Sequence, residues 1–121
     1  MLHPGSCFKA NYPTHEHLHI VVCDVTESTV TVVFVSSVKD GKEYDPACVV
    51  HKGEHPYISH DSYIVYDKFQ YCEKTELERR LTMGEYIVEP DVSDDLLERI
   101  KNGARNSDYL SEFDKETFFR F

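Results

Sequence analysis

Two neighbouring runs of β-branched residues constrain the fold of this chain more than any other feature of its sequence. The first covers residues 18–25 and the second covers residues 29–36. Valine, isoleucine and threonine dominate both runs, and such residues favour extended backbone. Thr26, Glu27 and Ser28 alone separate them, which leaves room only for a tight turn. The sequence therefore predicts an antiparallel β-hairpin.

Shorter runs predict further strands over residues 5–10, 47–50, 63–66 and 85–88. No internal repeat, low-complexity tract or flexible linker divides the chain, and 121 residues suit one domain. We therefore expect a mainly β protein with added helices (α+β class). The predicted architecture is a small, strongly bent antiparallel β-barrel or half-barrel, with a β core over 1–92 and a helical extension over 93–121.

Capping patterns predict three helices in the second half of the chain. A capping box at residues 75–78, with two leucines one turn apart, predicts a short helix that ends near Gly84. Ser93 is expected to cap a second helix, which has acidic residues in its first turn and Gly103 as its stop. Ser107 is expected to cap a last helix. The apolar end, Phe118–Phe121, is expected either to dock on the barrel or to form a subunit interface.

The formal net charge of −9 limits the kind of nucleic-acid site that this chain could hold. Affinity for nucleic acid comes largely from clustered lysine and arginine, so a broad phosphate-binding face is not expected. All seven histidines lie at or before His60, and every arginine lies at or after Arg79. A local site built from histidine is still compatible with this distribution.

The cysteines and the hydropathy pattern predict a cytoplasmic protein. The four cysteines are widely spaced and form no C-x-x-C pair, which indicates reduced thiols. No apolar run approaches the roughly 18 residues of a membrane helix. The first residues carry neither the basic nor the apolar part of a secretory signal. We therefore expect no contact with a membrane.

Residues 55–66 concentrate side chains that can do chemistry. They include two imidazoles, a carboxylate, two hydroxyls and three phenols. Pro56 stiffens the start, so we expect a loop that delivers His60, Asp61 and Ser62 to the mouth of the β structure. A serine triad is not favoured, because adjacent strand residues point to opposite faces and Asp61 then cannot orient His60. No G-x-S-x-G turn exposes Ser62 either.

Acid–base cleavage of RNA requires a less specific arrangement of these residues than a serine triad does. Attack by the neighbouring 2′-hydroxyl needs one group to take a proton and another to give one, and histidine suits both roles near neutral pH. His60 with either His55 or His19, supported by Ser62 and Tyr66, makes a workable set. Hydroxyls would hold the phosphate and tyrosine faces would stack bases. The structural alternative is that the hydroxyls satisfy loop amides and the tyrosines pack in the core.

A second histidine cluster lies at the start of the first long strand. His15, His17 and His19 alternate along it, which places them on one face. That spacing can supply nitrogen ligands to zinc, with further ligands from residues 51–61. The alternative is a polar strand end without a metal.

The order of short motifs resembles that of the PemK/MazF-like family, the endoribonuclease toxins of bacterial toxin–antitoxin pairs. Pro4-Gly5-Ser6 is similar to the family's first strand start, and after an apolar strand the next strand ends in Ser36-Ser37. Asp61-Ser62 then opens a later strand. Residues 53–66 resemble a divergent PemK-like branch with the pattern G-(D/E)-H-P-(F/Y)-I-x-H-x-S-Y-(V/I)-x-Y.

The resemblance implies a bent barrel, cleavage of single-stranded RNA, a homodimer and a cognate antitoxin. It matches Ser36 or Ser37 to a strand-end hydroxyl of the family's site, and Ser62 to the serine after the aspartate. The family also uses an arginine from its first long loop. This chain has no arginine before Arg79, and the histidines of residues 15–19 lie in the corresponding region. Either histidine has replaced arginine, or the barrel serves another purpose.

The main prediction is thus a metal-independent endoribonuclease without a cofactor. Its expected partners are single-stranded RNA, a cognate antitoxin and a second copy of the chain. The predicted catalytic residues are His60, His55, His19 and Ser62. The predicted substrate-binding residues are Ser37, Ser36, Tyr63, Tyr66 and His17. The alternatives are a non-catalytic protein-binding module on the same barrel and a small histidine-ligated metallohydrolase.

Overall fold

The computed structural model describes residues 2–119 and places six antiparallel strands of this range in one sheet, which curls into a half-barrel. The strands are β1 (Cys7–Asn11), β2 (Glu16–Asp24), β3 (Thr29–Ser37), β4 (Val49–Val50), β5 (Ser62–Glu73) and β6 (Ile87–Glu89). Their order across the sheet is β4-β5-β3-β2-β1-β6. The same residues form three helices, α1 (Lys74–Thr82), α2 (Asp94–Asn106) and α3 (Glu112–Phe118). The predicted α+β class is confirmed.

The predicted hairpin is present and forms the centre of the sheet. β2 and β3 pair antiparallel, and nearly all of their middle residues are buried. Leu18 and Ile20 belong to one apolar cluster with Ile100 of α2. Val21 belongs to a second cluster with Leu77 of α1. Both faces of the hairpin are therefore covered by helices.

Strand β5 is longer than the sequence predicted. It continues past Tyr66 to Glu73, and its second half pairs with the first residues of β3. The register shifts between the Val32–Gln70 and Phe34–Val65 pairs, where β5 has the extra residues. Residues 67–73 are mostly exposed, so their polar composition conceals the strand from a hydrophobic pattern.

Helix α2 begins where predicted but ends later. The Ser93 hydroxyl accepts a hydrogen bond from the Leu96 N–H (3.1 Å), which confirms the predicted cap. The helix then runs through Gly103 to Asn106, so the prediction of Gly103 as its stop is wrong. Gly103 is instead a point of close approach to the sheet. A Cβ atom there would overlap the Tyr66 hydroxyl and lie 2.9 Å from the Cys48 Cβ.

Helix α1 starts earlier than the capping box predicted. Its first residue is Lys74, and Glu73 precedes it without a side-chain cap. β5 runs directly into this helix, and the Lys74 N–H donates to the Ser28 carbonyl (2.8 Å). The Ser28 carbonyl, in the turn between β2 and β3, therefore binds the first N–H of the helix, and Thr75 is not the N-cap.

Ser107 ends α2 and does not cap the last helix. It is fully buried, and its hydroxyl donates to the buried carboxylate of Asp45. Ser111 caps α3 instead, by accepting from the Asp114 N–H (3.1 Å). The same hydroxyl accepts from the Tyr109 N–H (3.1 Å), so Ser107 stabilises the turn between α2 and α3.

The end of α3 docks on the sheet. Phe118 is buried, and its carbonyl accepts hydrogen bonds from the Thr31 hydroxyl (3.0 Å) and the Cys23 thiol (2.8 Å). The docking alternative predicted for the apolar end therefore holds at Phe118. Arg120 and Phe121 lie outside the described residues.

We expect Gly103→Ala to lower the free energy of unfolding by roughly 2 kcal/mol, although alanine is the better helix former. The added methyl group would displace Tyr66, whose hydroxyl donates to the Ile100 carbonyl (2.7 Å). Urea unfolding measures the change. Asn102→Ala, at an exposed neighbour in the same helix, is the control and should leave stability near wild type. Equal stability of Gly103→Ala and wild type would contradict the close packing of α2 on β5.

Candidate functional site

The candidate site lies where the two central strands separate. The β2–β3 ladder reaches only as far as His19 and Phe34. Beyond that pair, β2 continues to pair with β1 as far as Glu16, and β3 continues to pair with β5 as far as Ser37. The two strands therefore diverge at this end of the hairpin, and a cleft opens between them.

Three parts of the chain that are distant in sequence line this cleft, which has a volume of about 240 Å³. They are the start of β2, the end of β3 with the residues after it, and the loop before β5. The histidines and serines among the lining residues are His15, His17, His60, Ser36, Ser37, Ser59 and Ser62. The cleft thus gathers imidazole and hydroxyl groups into one space.

His17 is held at the point where the strands diverge. Its Nδ1 donates a hydrogen bond to the Val35 carbonyl (2.9 Å), since a carbonyl oxygen can only accept. In the neutral ring this leaves a lone pair on Nε2, which can take up a proton. The ring also packs against Phe34, with the two ring centroids 4.8 Å apart. His17 is therefore an ordered imidazole with one free basic nitrogen.

The loop of residues 51–61 forms one wall of the cleft and is anchored by Glu54 and His55. Glu54 pairs with Arg99 of α2, and this guanidinium lowers the pKa of the Glu54 carboxyl. His55 is 2 % exposed. Its Nε2 donates to the Pro90 carbonyl (2.6 Å), and its Nδ1 accepts from the Tyr57 N–H (3.0 Å). His55 therefore shapes the loop and does not reach the cleft.

His60 and Ser62 stand where this loop enters β5. The His60 side chain is exposed and lines the cleft. Ser62 is 4 % exposed, and its hydroxyl donates to the His60 carbonyl (2.8 Å). This hydrogen bond from the Ser62 side chain fixes the backbone at His60. His60 is thus the exposed titratable residue of this turn that lines the cleft.

His19 lies outside the cleft, although it is only two residues from His17. Both rings pack against Phe34, which agrees with the predicted common strand face. Phe8 stacks on His19 with the ring centroids 5.2 Å apart, and Tyr12 lies beside it, so His19 is buried. Burial, with the neighbouring His17 as a smaller cause, lowers the pKa of His19 to about 4.

The two tyrosines predicted to bind substrate occupy different positions. Tyr66 is fully buried beneath α2, and its hydroxyl donates to the Ile100 carbonyl (2.7 Å). Tyr63 is half-buried in a second hollow beside the cleft, next to Tyr44. Tyr66 therefore has a structural position, whereas Tyr63 stays near the cleft.

The structure brings part of the predicted site together and separates the rest. The predicted residues that line the cleft are His17, Ser36, Ser37, His60 and Ser62. Those that are buried elsewhere are His19, His55 and Tyr66. The cleft also contains Lys39 and Tyr57, which the sequence reasoning missed. The position of Lys39 just after the Ser36–Ser37 strand end was the one available signal.

The carboxylates near the cleft are engaged by other groups. The Tyr57 phenol donates to Glu16 (2.8 Å), and burial together with this carboxylate raises the pKa of Tyr57 to about 12. Asp61 lies 3.5 Å from the His51 ring and accepts from the Lys52 N–H. Lys39 adds an ammonium group to the lining. The lining thus combines the ammonium group of Lys39 with the carboxylate of Glu16, which keeps its charge while it accepts from Tyr57.

The histidines at the start of β2 do not assemble a metal site in the described part of the chain. His15 is exposed, His17 donates to Val35, and His19 is buried among aromatic rings. Residues 2–119 contain no group of three or more histidine, cysteine, aspartate or glutamate side chains placed to hold a metal ion.

No protein-family model matches the chain, and comparisons with curated proteins and with solved structures find no significant match. Among residues 2–119, no helix is both long enough and apolar enough to cross a membrane.

We expect His19 to make the fold sensitive to acid. The pKa of His19 is about 4 in the folded chain, whereas an ordinary histidine titrates near 6.5. The unfolded chain therefore binds the extra proton between these values, so stability falls as the pH drops from about 7 towards 4. The full difference is worth roughly 3 kcal/mol.

Urea unfolding of wild type and His19→Leu across this pH range tests the effect. The variant should lose most of the pH dependence between about 6.5 and 4. His15→Leu removes an exposed histidine from the same segment and should keep the wild-type slope. An unchanged slope in His19→Leu would show that another group causes the acid sensitivity.

Proposed function

We propose that the protein is an endoribonuclease that cleaves single-stranded RNA by acid–base chemistry in this cleft. One observation carries the proposal: His17 and His60, from distant parts of the chain, line the same open space together with serine hydroxyls and Lys39. Proton transfer by two positioned imidazoles and stabilisation of a phosphate by hydroxyl and ammonium donors are the elements that this reaction needs.

His17 and His60 have distinct roles in the proposed mechanism. Nε2 of His17 takes the proton from the 2′-hydroxyl as this oxygen attacks the adjacent phosphorus. The bond from phosphorus to the 5′-oxygen breaks, and protonated His60 gives its proton to that oxygen. The products are a 2′,3′-cyclic phosphate and a free 5′-hydroxyl. His17 is assigned as the base because its Nδ1–H is committed to the Val35 carbonyl.

The phosphate would be held at the end of β3. Ser36 and Ser37 line the cleft there, and Lys39 lies just beyond them. Their hydroxyl and ammonium groups can donate to the non-bridging oxygens as negative charge develops on them. Ser62, in contrast, supports the reaction by positioning the backbone of His60. One local phosphate site of this kind needs no broad basic face.

The resemblance to PemK/MazF-like toxins supports the same reaction class, and membership of that family stays a prediction. The bent antiparallel sheet and the strand-end serines at 36–37 agree with what the resemblance implies. A homodimer, a cognate antitoxin and a cytoplasmic location depend on the resemblance and the sequence pattern, and they are part of this proposal.

Incubation of the purified protein with labelled single-stranded RNA, with and without EDTA, tests the proposal. Cleavage should persist in EDTA and leave cyclic phosphate ends. His60→Ala and His17→Gln should each slow cleavage by about 10²–10⁴-fold, the usual range for loss of a proton-transfer group. Glutamine keeps an N–H donor near Val35, so His17→Gln separates chemistry from folding. His3→Ala, at an exposed histidine outside the cleft lining, should cleave like wild type.

A second candidate function is favoured by the buried part of residues 53–66. His55 and Tyr66 serve structure, and the Ser62 hydroxyl bonds to the backbone. This pattern suits a protein-binding module that keeps the barrel without catalysis. A folded wild-type protein that leaves RNA intact under all of these conditions would favour this function over the nuclease.

Cleavage that EDTA abolishes would contradict the metal-independent mechanism.

A further inference from the structure

A second hollow opens beside the cleft and shares a wall with it. Ser36, Ser37 and Lys39 line both spaces. On the far side of this shared wall, the second hollow contains the rings of Tyr44 and Tyr63 and has a volume of about 270 Å³. The two spaces therefore adjoin across the end of β3. The mechanism proposed above uses only the first of them.

The two tyrosines of this hollow lie against each other. Tyr63 is paired with Ser36 across the β3–β5 ladder. Tyr44 precedes the buried Asp45, which accepts a hydrogen bond from Ser107. The ring centroids of the two tyrosines are 5.2 Å apart, with an angle of 38° between the planes, and both residues are half-buried. A flat ligand would thus meet two adjacent aromatic rings.

Two lysines accompany the aromatic pair. Lys39 and Lys42 stand on one tight turn, in which the Lys42 N–H donates to the Lys39 carbonyl (3.2 Å). Gly41 adopts the positive φ, 73°, that this turn contains. Glu43 also lines the hollow and supplies an opposing carboxylate. Aromatic faces beside ammonium and hydroxyl groups match the base and the phosphate of one nucleotide.

We propose that the second hollow is a subsite for the nucleotide next to the scissile phosphodiester. Its base stacks on Tyr44 and Tyr63, and its phosphate lies near Lys39 and Lys42. The inference rests on the proposed function, because it extends the strand that the cleft would hold. It also defines the substrate: the base must be unpaired to present its face to the tyrosines. Stacking tolerates every base, so the subsite selects for the presence of a base more than for its identity.

Binding of a strand that cannot be cleaved tests the subsite separately from the reaction. The probe is a short, fluorescently labelled 2′-deoxyoligonucleotide, which lacks the attacking hydroxyl. Its comparison is an abasic deoxyribose-phosphate strand of the same length. Fluorescence anisotropy should show that wild type binds the base-bearing strand about ten-fold more tightly, as expected for one stacked base.

Paired variants assign this preference to the two rings. Tyr44→Leu with Tyr63→Leu should abolish the preference, and Tyr44→Phe with Tyr63→Phe should keep it, because stacking uses the ring and not the hydroxyl. Tyr71→Leu removes an exposed tyrosine near the other end of β5 and should bind both strands like wild type. Circular dichroism and urea unfolding establish that each variant is folded.

Three outcomes would each overturn the subsite. Wild type binds the two strands with equal affinity, it binds neither strand, or the preference survives in the leucine variant. Cleavage of RNA by the same samples is measured independently. A protein that cleaves RNA without any preference for the base-bearing strand loses the subsite alone. A protein that shows the tyrosine-dependent preference and leaves RNA intact loses the cleavage proposal alone.

Discussion

The structure depends on a β-hairpin that is apolar on both faces. Apolar residues on both faces of β2 and β3 must be buried from water. Helix α1 covers one face, and α2 and α3 cover the other. The buried pattern begins only after His17 in β2 and ends at Val35 in β3. The hydrogen-bonded ladder between the strands also ends at this level. The cleft therefore marks the boundary of the core, where polar groups can reach water.

The loop of residues 51–61 connects this cleft to the helical layer. Arg99 of α2 pairs with Glu54 and donates to the Val49 carbonyl (2.7 Å), and His55 donates to the Pro90 carbonyl. Several polar side chains of this segment thus satisfy buried groups, as buried polar atoms in proteins generally must. The exposed imidazole of His60 stands at the end of a loop that these contacts hold in shape. Buried members of this segment therefore hold the loop, and an exposed member lines the cleft.

An acidic protein can contain a site for an anion when the site is local. At the cleft, Glu16 accepts from Tyr57 and Asp61 lies beside His51, so these carboxylates are engaged. Lys39 stands between the cleft and the second hollow and serves both. A duplex would need a wide basic surface for its many phosphates, whereas a short single strand needs few charges and a place for its bases.

The sequence by itself determined the hairpin, the Ser93 cap and the α+β class, because these follow from local backbone preferences and periodicity. It also indicated five residues of the cleft lining, His17, Ser36, Ser37, His60 and Ser62. Only the tertiary structure decided that Gly103 lies inside α2, since β5 presses on the helix there. Only the tertiary structure decided that Phe8 covers His19 while His17, on the same strand face, stands at an opening. Periodicity places a residue on a face, whereas contacts between distant parts of the chain determine what covers that face.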